Sequence, residues 1–137
     1  MPKVTPEQVK AICDSELPLV SILGAEIDSI GEGEASVSLP PQENLMRPGG
    51  TVSGPAMMAI ADYAFYVAVM SRIGPKSMAV TSSLTINFLR KPASAKLVAK
   101  AQLIKQGRRL AYGDVFIYSA GLEDPVAHAT CTYALPE

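Results

Sequence analysis

A single apolar segment, PAMMAIADYAFYVAVMS at residues 55–71, dominates the choice of fold. Its length and its content of alanine and methionine favour a helix over a strand. Pro55 suits the first helical turn, Ser53 or Gly54 is the expected cap, and a Gly-Pro pair ends the segment. About 17 residues is the lower limit for crossing a membrane, and Asp62 lies in the middle, so a membrane span is disfavoured. Because nearly every side of the helix is apolar, we expect it to be buried in the protein.

The segments on either side of this helix have the pattern of β-strands. In EASVSLPP, at residues 34–41, apolar and polar residues alternate until the two prolines. The other strand-like segments lie at residues 24–30, 78–89, 96–105, 110–118 and 126–135. Hairpin-like connections join the last four, which predicts an antiparallel meander.

The chain begins with a short amphipathic segment at residues 5–16 that predicts a helix, with Thr5 as its cap and Pro6 in its first turn. A curved sheet around one central helix is the simplest way to bury a helix that is apolar on all sides. The prediction is therefore an α+β fold, with one domain over residues 1–137.

Composition excludes several classes of function. Of 137 residues, 48% are hydrophobic and 18% are charged, so disorder is excluded and some apolar surface is available for contacts between subunits. A net charge of −1 provides no basic surface for nucleic acid and no cationic helix for a membrane surface. The first ten residues contain no apolar run, so we expect no signal peptide and a cytoplasmic location.

The single histidine limits the possible metal and nucleophile sites. His128 cannot form a histidine-rich metal site, and Cys13 and Cys131 have no CxxC spacing, so we expect no metal. In the strand VAHATCTYAL, alternation places His128 and Cys131 on opposite faces, so they cannot pair locally. The pattern predicts a histidine on the polar face of the sheet and no catalytic triad.

Asp62 is the unusual residue of the apolar segment. A carboxylate in apolar surroundings must be hydrogen-bonded, paired or exposed at an interface, and loss of hydration makes it a stronger base. The alternative is that Asp62 hydrogen-bonds a tyrosine or a backbone amide for structural reasons only. Gly49, Gly50 and Gly54 allow the backbone to approach a ligand, and the first amides of the helix can donate to an oxyanion. We interpret Asp62 and the start of the helix as two halves of a hydrolytic site.

Several motifs, in this order, resemble those of one family. SGPAMMAIAD, at residues 53–62, is similar to the HGG-x6-D signature of hotdog-fold acyl-CoA thioesterases of the phenylacetic-acid-degradation (PaaI-like) type. VTSSLTINFLRKP, KQGRRLAYGDVFIY and VAHATCTYAL are similar to the later strands of that family. Ser53 stands where the family has histidine, and Pro55 replaces a glycine and removes one amide donor. The resemblance implies a hotdog fold, hydrolysis of acyl-CoA to a carboxylic acid and coenzyme A without a further cofactor, and a homodimer or homotetramer.

The resemblance also implies roles for the matching positions. Asp62 is the general base or nucleophile, the Gly54 amide polarises the thioester carbonyl, and Thr81 orients the attacking water. Asn44, or Arg47 in a gap-free alignment, contacts the reacting centre. The family places this site between two subunits, which allows Asp62 and Thr81 to come from different chains. The expected substrate contacts, of which the last four are for the phosphates of coenzyme A, are Ser53, Gly50, Arg90, Lys91, Arg108 and Arg109.

Structural alternatives exist for several of these positions. Thr81 suits a polar sheet face through β-propensity alone, and Arg108 and Arg109 suit a solvated turn. Four apolar residues could shape an acyl pocket, although core packing is the stronger interpretation: Met57, Met58, Phe65 and Tyr66.

Two other functions compete with hydrolysis. One is a hotdog protein that binds acyl-CoA or a related ligand without cleaving it, and the replacements at Ser53 and Pro55 favour it. The other is a hotdog dehydratase, which needs a histidine near the helix, where this chain has none.

Overall fold

The computed structural model describes residues 1–93 and 95–136 as two short helices, a long helix and eight strands. In chain order, these elements are α1 Pro6–Glu16, α2 Pro18–Leu23, β1 Glu26–Gly31, β2 Glu34–Leu39, a 3₁₀ turn Glu43–Leu45, β3 Met46–Arg47, β4 Thr51–Val52, α3 Gly54–Ile73, β5 Val80–Phe88, β6 Leu97–Gln106, β7 Leu110–Ser119 and β8 Ala127–Ala134. The apolar segment has become α3, as its composition predicts.

Helix α3 is the core of the molecule. Ser53 caps it, with Oγ accepting from the Ala56 amide at 3.4 Å, and Pro55 occupies its first turn. Phe65 and Val67 are fully buried at its centre. By length and composition α3 could cross a membrane, but 72% of its most apolar stretch is buried inside the protein. It is therefore the buried core helix of this fold.

One antiparallel sheet of six strands wraps around α3, in the order β1-β2-β6-β7-β8-β5. The inner face carries the apolar residues of each strand, such as Ala129, Cys131 and Tyr133 of β8, which are buried. The outer face carries the intervening residues, including His128 and Thr130. This arrangement is the predicted α+β hotdog fold, with a short helix at the N-terminus.

The prediction of a continuous meander is wrong at one strand. Strands β6, β7 and β8 are joined by hairpins, but β5 pairs with β8, and the neighbour of β6 on its other side is β2. Alternation within a strand indicates which face is buried and not which strand is adjacent. The connection between β5 and β6, residues 89–96, contains Pro92 and is longer than a tight hairpin turn. It is therefore long enough to pass the ends of β8 and β7 and to reach the position of β6.

The N-terminal helix is confirmed, but the helix that follows was not predicted. Thr5 and Gln8 form a reciprocal capping box at the start of α1. Pro18 occupies the first turn of α2, because its fixed φ and missing N–H are well tolerated there.

A tight packing contact at Gly113 generates a test of the fold. A Cβ atom at Gly113 would lie 2.1 Å from the Gln102 carbonyl oxygen and 2.7 Å from Cε1 of Phe65, so it would separate β6 from β7 or push the core ring aside. We expect Gly113→Ala to lower the free energy of unfolding by about 1–3 kcal/mol in urea denaturation. Gly107→Ala is the matched control, because its nearest contact is 3.7 Å away. Equal stability of the two variants would contradict this packing.

Candidate active site

Asp62 is half-buried on α3 and is held by two hydroxyl groups. Its Oδ1 accepts hydrogen bonds from Thr81 Oγ1 at 2.7 Å and from the Tyr133 hydroxyl at 2.6 Å. The Tyr133 hydroxyl also lies 2.9 Å from the backbone oxygen of Asp62. No side chain or backbone group of residues 1–93 and 95–136 donates a hydrogen bond to Oδ2. The carboxylate is thus fixed through one oxygen, and the other oxygen is available to a ligand.

A β-bulge turns Thr81 toward Asp62. Thr81 pairs with Tyr133, whereas the next paired residue, Ser83, lies opposite Thr132, so Ser82 is extra. Paired residues share a face of the sheet, and the bulge therefore brings Thr81 to the inner face that also carries Leu84. Strict alternation along β5 predicts that Thr81 shares the outer, polar face with Ser83, and the bulge makes this prediction wrong for Thr81. β-propensity on a polar face does not account for Thr81, because its hydroxyl lies on the inner face and donates a hydrogen bond to Asp62.

Tyr133 is the site residue that sequence analysis missed. It is only 2% exposed, and burial, followed by the negative charge of Asp62 and the hydrogen bond to it, raises the pKa of Tyr133 well above its usual range. The phenol therefore remains protonated and donates to the carboxylate. The sequence feature that could have identified Tyr133 is its place on the inner, apolar face of the last strand, where a tyrosine hydroxyl needs a hydrogen-bond partner.

A cavity of about 330 Å³ opens beside the Asp62 carboxylate. Asp62, Thr81 and Tyr133 form its polar side, and Leu23 and Ala59 belong to its apolar wall.

Only one of the four apolar residues considered for an acyl pocket lines this cavity. Tyr66 does so and donates a hydrogen bond to the Ser77 carbonyl oxygen at 2.9 Å, and burial raises its pKa to about 12. Met57 and Phe65 are buried in the core, and Met58 is 42% exposed on the surface. Core packing therefore accounts for Met57 and Phe65.

The start of α3 collects a second group of predicted site residues. The Gly54 amide has no hydrogen-bond acceptor among the described residues, and the Phe88 ring packs against its α-carbon. The Ser53 amide donates to the Leu45 carbonyl oxygen at 2.9 Å, which draws the 3₁₀ turn carrying Asn44 to this end of the helix.

Gly50 belongs to the same region of the chain. It lies with Gly49 in the turn between β3 and β4, where both residues have positive φ values of 98° and 74° for Gly49 and Gly50. Gly50 and Asn44 are both exposed.

Within one chain the two groups do not meet. Gly54 and Asp62 are eight helical residues apart, which corresponds to about 12 Å along the axis. The oxyanion donor and the carboxylate of one chain therefore cannot act on the same carbonyl group. Asp62 and Thr81, which the resemblance allowed to come from different chains, are in direct contact within one chain.

Comparisons with known proteins agree with this architecture. The family model of the thioesterase superfamily matches residues 49–126, more than half of the chain. The chain belongs to the thioesterase superfamily.

Three solved structures are similar to this thioesterase-superfamily chain. A structure described as "a putative thioesterase" from Silicibacter sp. TM1040 is 38% identical, covers 100% of this chain and 95% of that chain, and has a TM-score of 0.90. A mutant of the phenylacetic acid degradation protein PaaI from Thermus thermophilus is 28% identical, covers 87% of this chain and 99% of that chain, and has a TM-score of 0.75. The E. coli PaaI protein from the phenylacetic acid degradation operon is 25% identical, with 96% of each chain covered and a TM-score of 0.81.

The four basic residues of this thioesterase-superfamily chain that were predicted to contact phosphate fall into two pairs at opposite ends of the sheet. Arg90 and Lys91 follow β5, at the end where Phe88 contacts Gly54, and Arg90 Nε donates to the Pro125 carbonyl oxygen at 2.9 Å. Arg108 and Arg109 are exposed in the β6–β7 turn, at the end where β8 finishes. One chain therefore does not unite the four cations in a single cluster.

His128 lies outside the site. Its Nε2 is 3.0 Å from Asp114 Oδ2, and its ring packs against Phe116 with centroids 4.5 Å apart on the outer face of the sheet. Cys131 faces the core, and burial raises the pKa of its thiol to about 12. The predicted separation of His128 and Cys131 is confirmed.

The raised pKa of Tyr133 predicts how stability depends on pH. Since the unfolded chain loses the phenol proton near pH 10.0 and the folded chain retains it, the free energy of unfolding should fall above about pH 10. The stability that this residue contributes is fully present below about pH 10. Above that pH the free energy of unfolding falls by about 1.4 kcal/mol for each pH unit. Urea denaturation between pH 8 and about 11 should show a shallower decline for Tyr133→Phe than for the wild type. The same decline in both proteins would contradict a buried, protonated phenol.

Proposed function

We propose that this protein hydrolyses acyl-CoA thioesters and that Asp62 activates the attack on the thioester carbonyl. Membership of the thioesterase superfamily supports hydrolysis, and coenzyme A as the leaving group is the proposed part. One observation carries the proposal: a half-buried carboxylate, fixed at Oδ1 by Thr81 and Tyr133, borders a partly apolar cavity, and its Oδ2 has no donor among the described residues.

The geometry supports a simple reaction. As general base, Asp62 Oδ2 accepts a proton from a water molecule, the water oxygen bonds to the carbonyl carbon, and the carbon–sulfur bond then breaks. The thiolate of coenzyme A leaves and takes up the proton that Asp62 received. As nucleophile, Oδ2 would instead bond to the carbonyl carbon while the carbon–sulfur bond breaks and the thiolate leaves, which forms an anhydride. Water would then cleave this anhydride to the carboxylic acid and the Asp62 carboxylate, and the proton released would go to the thiolate. Either route requires no cofactor, and the two hydroxyl donors hold Asp62 in place for both.

The developing oxyanion needs a donor that a second copy of the chain would supply. Because the Gly54 amide is about 12 Å from Asp62 within one chain, we propose that Gly54 of one protomer serves Asp62 of another. Asn44 and Gly50, in the loops beside Gly54, would belong to the same half of the site.

Strand β5 provides the geometry for this pairing. It is an edge strand, mostly exposed on both faces, and it runs from Thr81, beside Asp62, to Phe88, beside Gly54. A two-fold, antiparallel pairing of β5 with β5 of a second chain lays the Phe88 end of one against the Thr81 end of the other. The proposed functional unit is therefore a homodimer with two composite sites, and a homotetramer would be a dimer of such dimers.

The same symmetry supports a binding role for the basic residues. In the proposed dimer, Arg90 and Lys91 of one chain lie at the sheet end that carries Arg108 and Arg109 of the other. The phosphates of coenzyme A would then meet cations from both protomers. A cytoplasmic location, without nucleic-acid or membrane partners, completes the proposal.

A second candidate is binding of acyl-CoA without cleavage. Ser53 Oγ is used as the cap of α3 and offers no imidazole, and Pro55 supplies no amide donor. These two observations favour the binding function, and turnover measurements distinguish it from hydrolysis.

The central test is Asp62→Asn, assayed for thiol release from acyl-CoA. We expect a loss of about 10²- to 10⁴-fold in kcat, the usual contribution of a positioned base, with an unchanged thermal transition. Asp114→Asn is the matched control, because that carboxylate pairs with His128 on the outer face. Retained turnover in Asp62→Asn would remove Asp62 from the mechanism, and tight acyl-CoA binding without turnover by the wild type would favour the binding function.

The composite site can be tested by mixing inactive variants. Gly54→Pro removes the amide donor at the first helical position, where helices accept proline, although the Phe88 ring, 3.3 Å from the added Cβ, must shift slightly; Asp62→Asn removes the base. After unfolding and refolding an equal mixture, half of the dimers are mixed and carry one intact site, so about one quarter of wild-type activity should return.

The control mixture combines Asp62→Asn with Thr81→Ala. Both changes fall in the same half of the site, so no mixed dimer has an intact pair of halves and no activity should return. Equal recovery in the two mixtures, or none in the first, would contradict a site shared between protomers.

A further inference from the structure

Two cavities meet at one side chain of the core helix. The cavity at Asp62, of about 330 Å³, lies between α3 and α2, and a second cavity of about 540 Å³ lies under α1 and α2. Tyr63 and Val20 line both cavities, and no other described residue is shared between them. These two side chains therefore form the partition of a longer groove.

The two residues of the partition, Tyr63 and Val20, are buried and belong to different helices. Tyr63 follows Asp62 on α3 and is 6% exposed, and its hydroxyl oxygen lies 4.0 Å from the Cys13 thiol of α1. Val20, 8% exposed, approaches from α2, which is tied to α1 through the short link at Leu17. Because the Tyr63 ring is buried on the core helix, it can serve as an end wall for the cavity beside Asp62.

The first cavity suits an acyl group of limited length. Asp62 lines it together with apolar residues that include Leu23 and Ala59. Beyond Tyr66, the hydrogen bond from Ser77 Oγ to Glu16 at 3.0 Å ties the loop after α3 to α1. A cavity of about 150 Å³ holds one benzene molecule, so 330 Å³ accommodates an acyl group of about twice that size.

The second cavity would suit the remainder of a longer chain. Its lining includes Cys13, Ala25 and Ile27, and four of its twelve lining residues are charged, among them Lys10 and Asp14, which form an ion pair at 3.2 Å. The two cavities thus offer apolar surface on both sides of Tyr63, with Asp62 on one side only.

We propose that Tyr63 determines the acyl-chain length of the substrate by closing the Asp62 cavity against the cavity under α1 and α2. This inference rests on the proposed thioesterase function, since it assigns the acyl group to the cavity beside Asp62. The wild type accepts short and medium chains, and removal of the Tyr63 ring joins the two cavities and admits long ones.

The experiment compares kcat/KM for straight-chain acyl-CoAs from C4 to C16 in the wild type and variants. Tyr63→Ala should raise the ratio of C14 to C6 activity at least tenfold, and Tyr63→Phe, which keeps the ring, should leave this ratio as in the wild type. Val20→Ala, a smaller change in the same partition, should shift the ratio in the same direction and serves if Tyr63→Ala fails to fold. Tyr112→Ala, at an exposed position on β7, is the surface control.

Binding measurements separate this inference from the proposed function. Non-cleavable S-alkyl coenzyme A thioethers of six and 14 carbons report chain-length preference whether or not the protein has turnover. A shift toward the longer thioether in Tyr63→Ala without any thiol release would support the role of Tyr63 and overturn hydrolysis. Turnover and binding with an unchanged chain-length preference in folded Tyr63→Ala and Val20→Ala would overturn the role of Tyr63 and leave hydrolysis standing.

Discussion

The hydrogen bonds from Thr81 and Tyr133 to Asp62 are the interaction on which this structure depends. A carboxylate on a helix enclosed by a sheet is costly unless donors compensate for its lost hydration. The donors come from neighbouring strands, β5 and β8, and the Ser82 bulge is what turns one of them inward. Helix, sheet and candidate site are therefore coupled: the sheet buries α3, and it also supplies the hydroxyl groups that hold the Asp62 carboxylate.

One chain contains both halves of the proposed site, at Asp62 and at Gly54, but keeps them apart. The rigid geometry of α3 keeps Gly54 and Asp62 about 12 Å apart, so no local rearrangement can join them. Strand β5 contacts one half at each of its ends, and its outer edge has no strand partner among the described residues. In the proposed dimer, the exposed edge that would otherwise be an aggregation hazard becomes the element that completes the site.

The N-terminal helices add a separate layer to this arrangement. They cover α3 on the side that carries Ala59 and Tyr63, and they form the walls of both cavities there. Because they lie outside the sheet, their side chains can change the shape of the cavities without altering the hydrogen bonds at Asp62. In our proposals, residues of α3, β5 and β8 carry out the hydrolysis, and the contact of α2 with Tyr63 determines the acyl-chain length of the substrate.

Local chemistry was sufficient to predict the long helix and the six strands of the sheet, and it singled out Asp62 as the unusual residue of that helix. An apolar stretch too long for a strand, closed by a serine cap and a glycine, can only be a buried helix in a chain of this size, and one carboxylate within it stands out. The partners of that carboxylate were not predictable in the same way. Strict alternation assigns Thr81 to the wrong face because a bulge adds one residue, and Tyr133 lies 71 positions from Asp62 along the chain. The order of the strands likewise depends on how distant segments pack, which periodicity along a single strand does not encode.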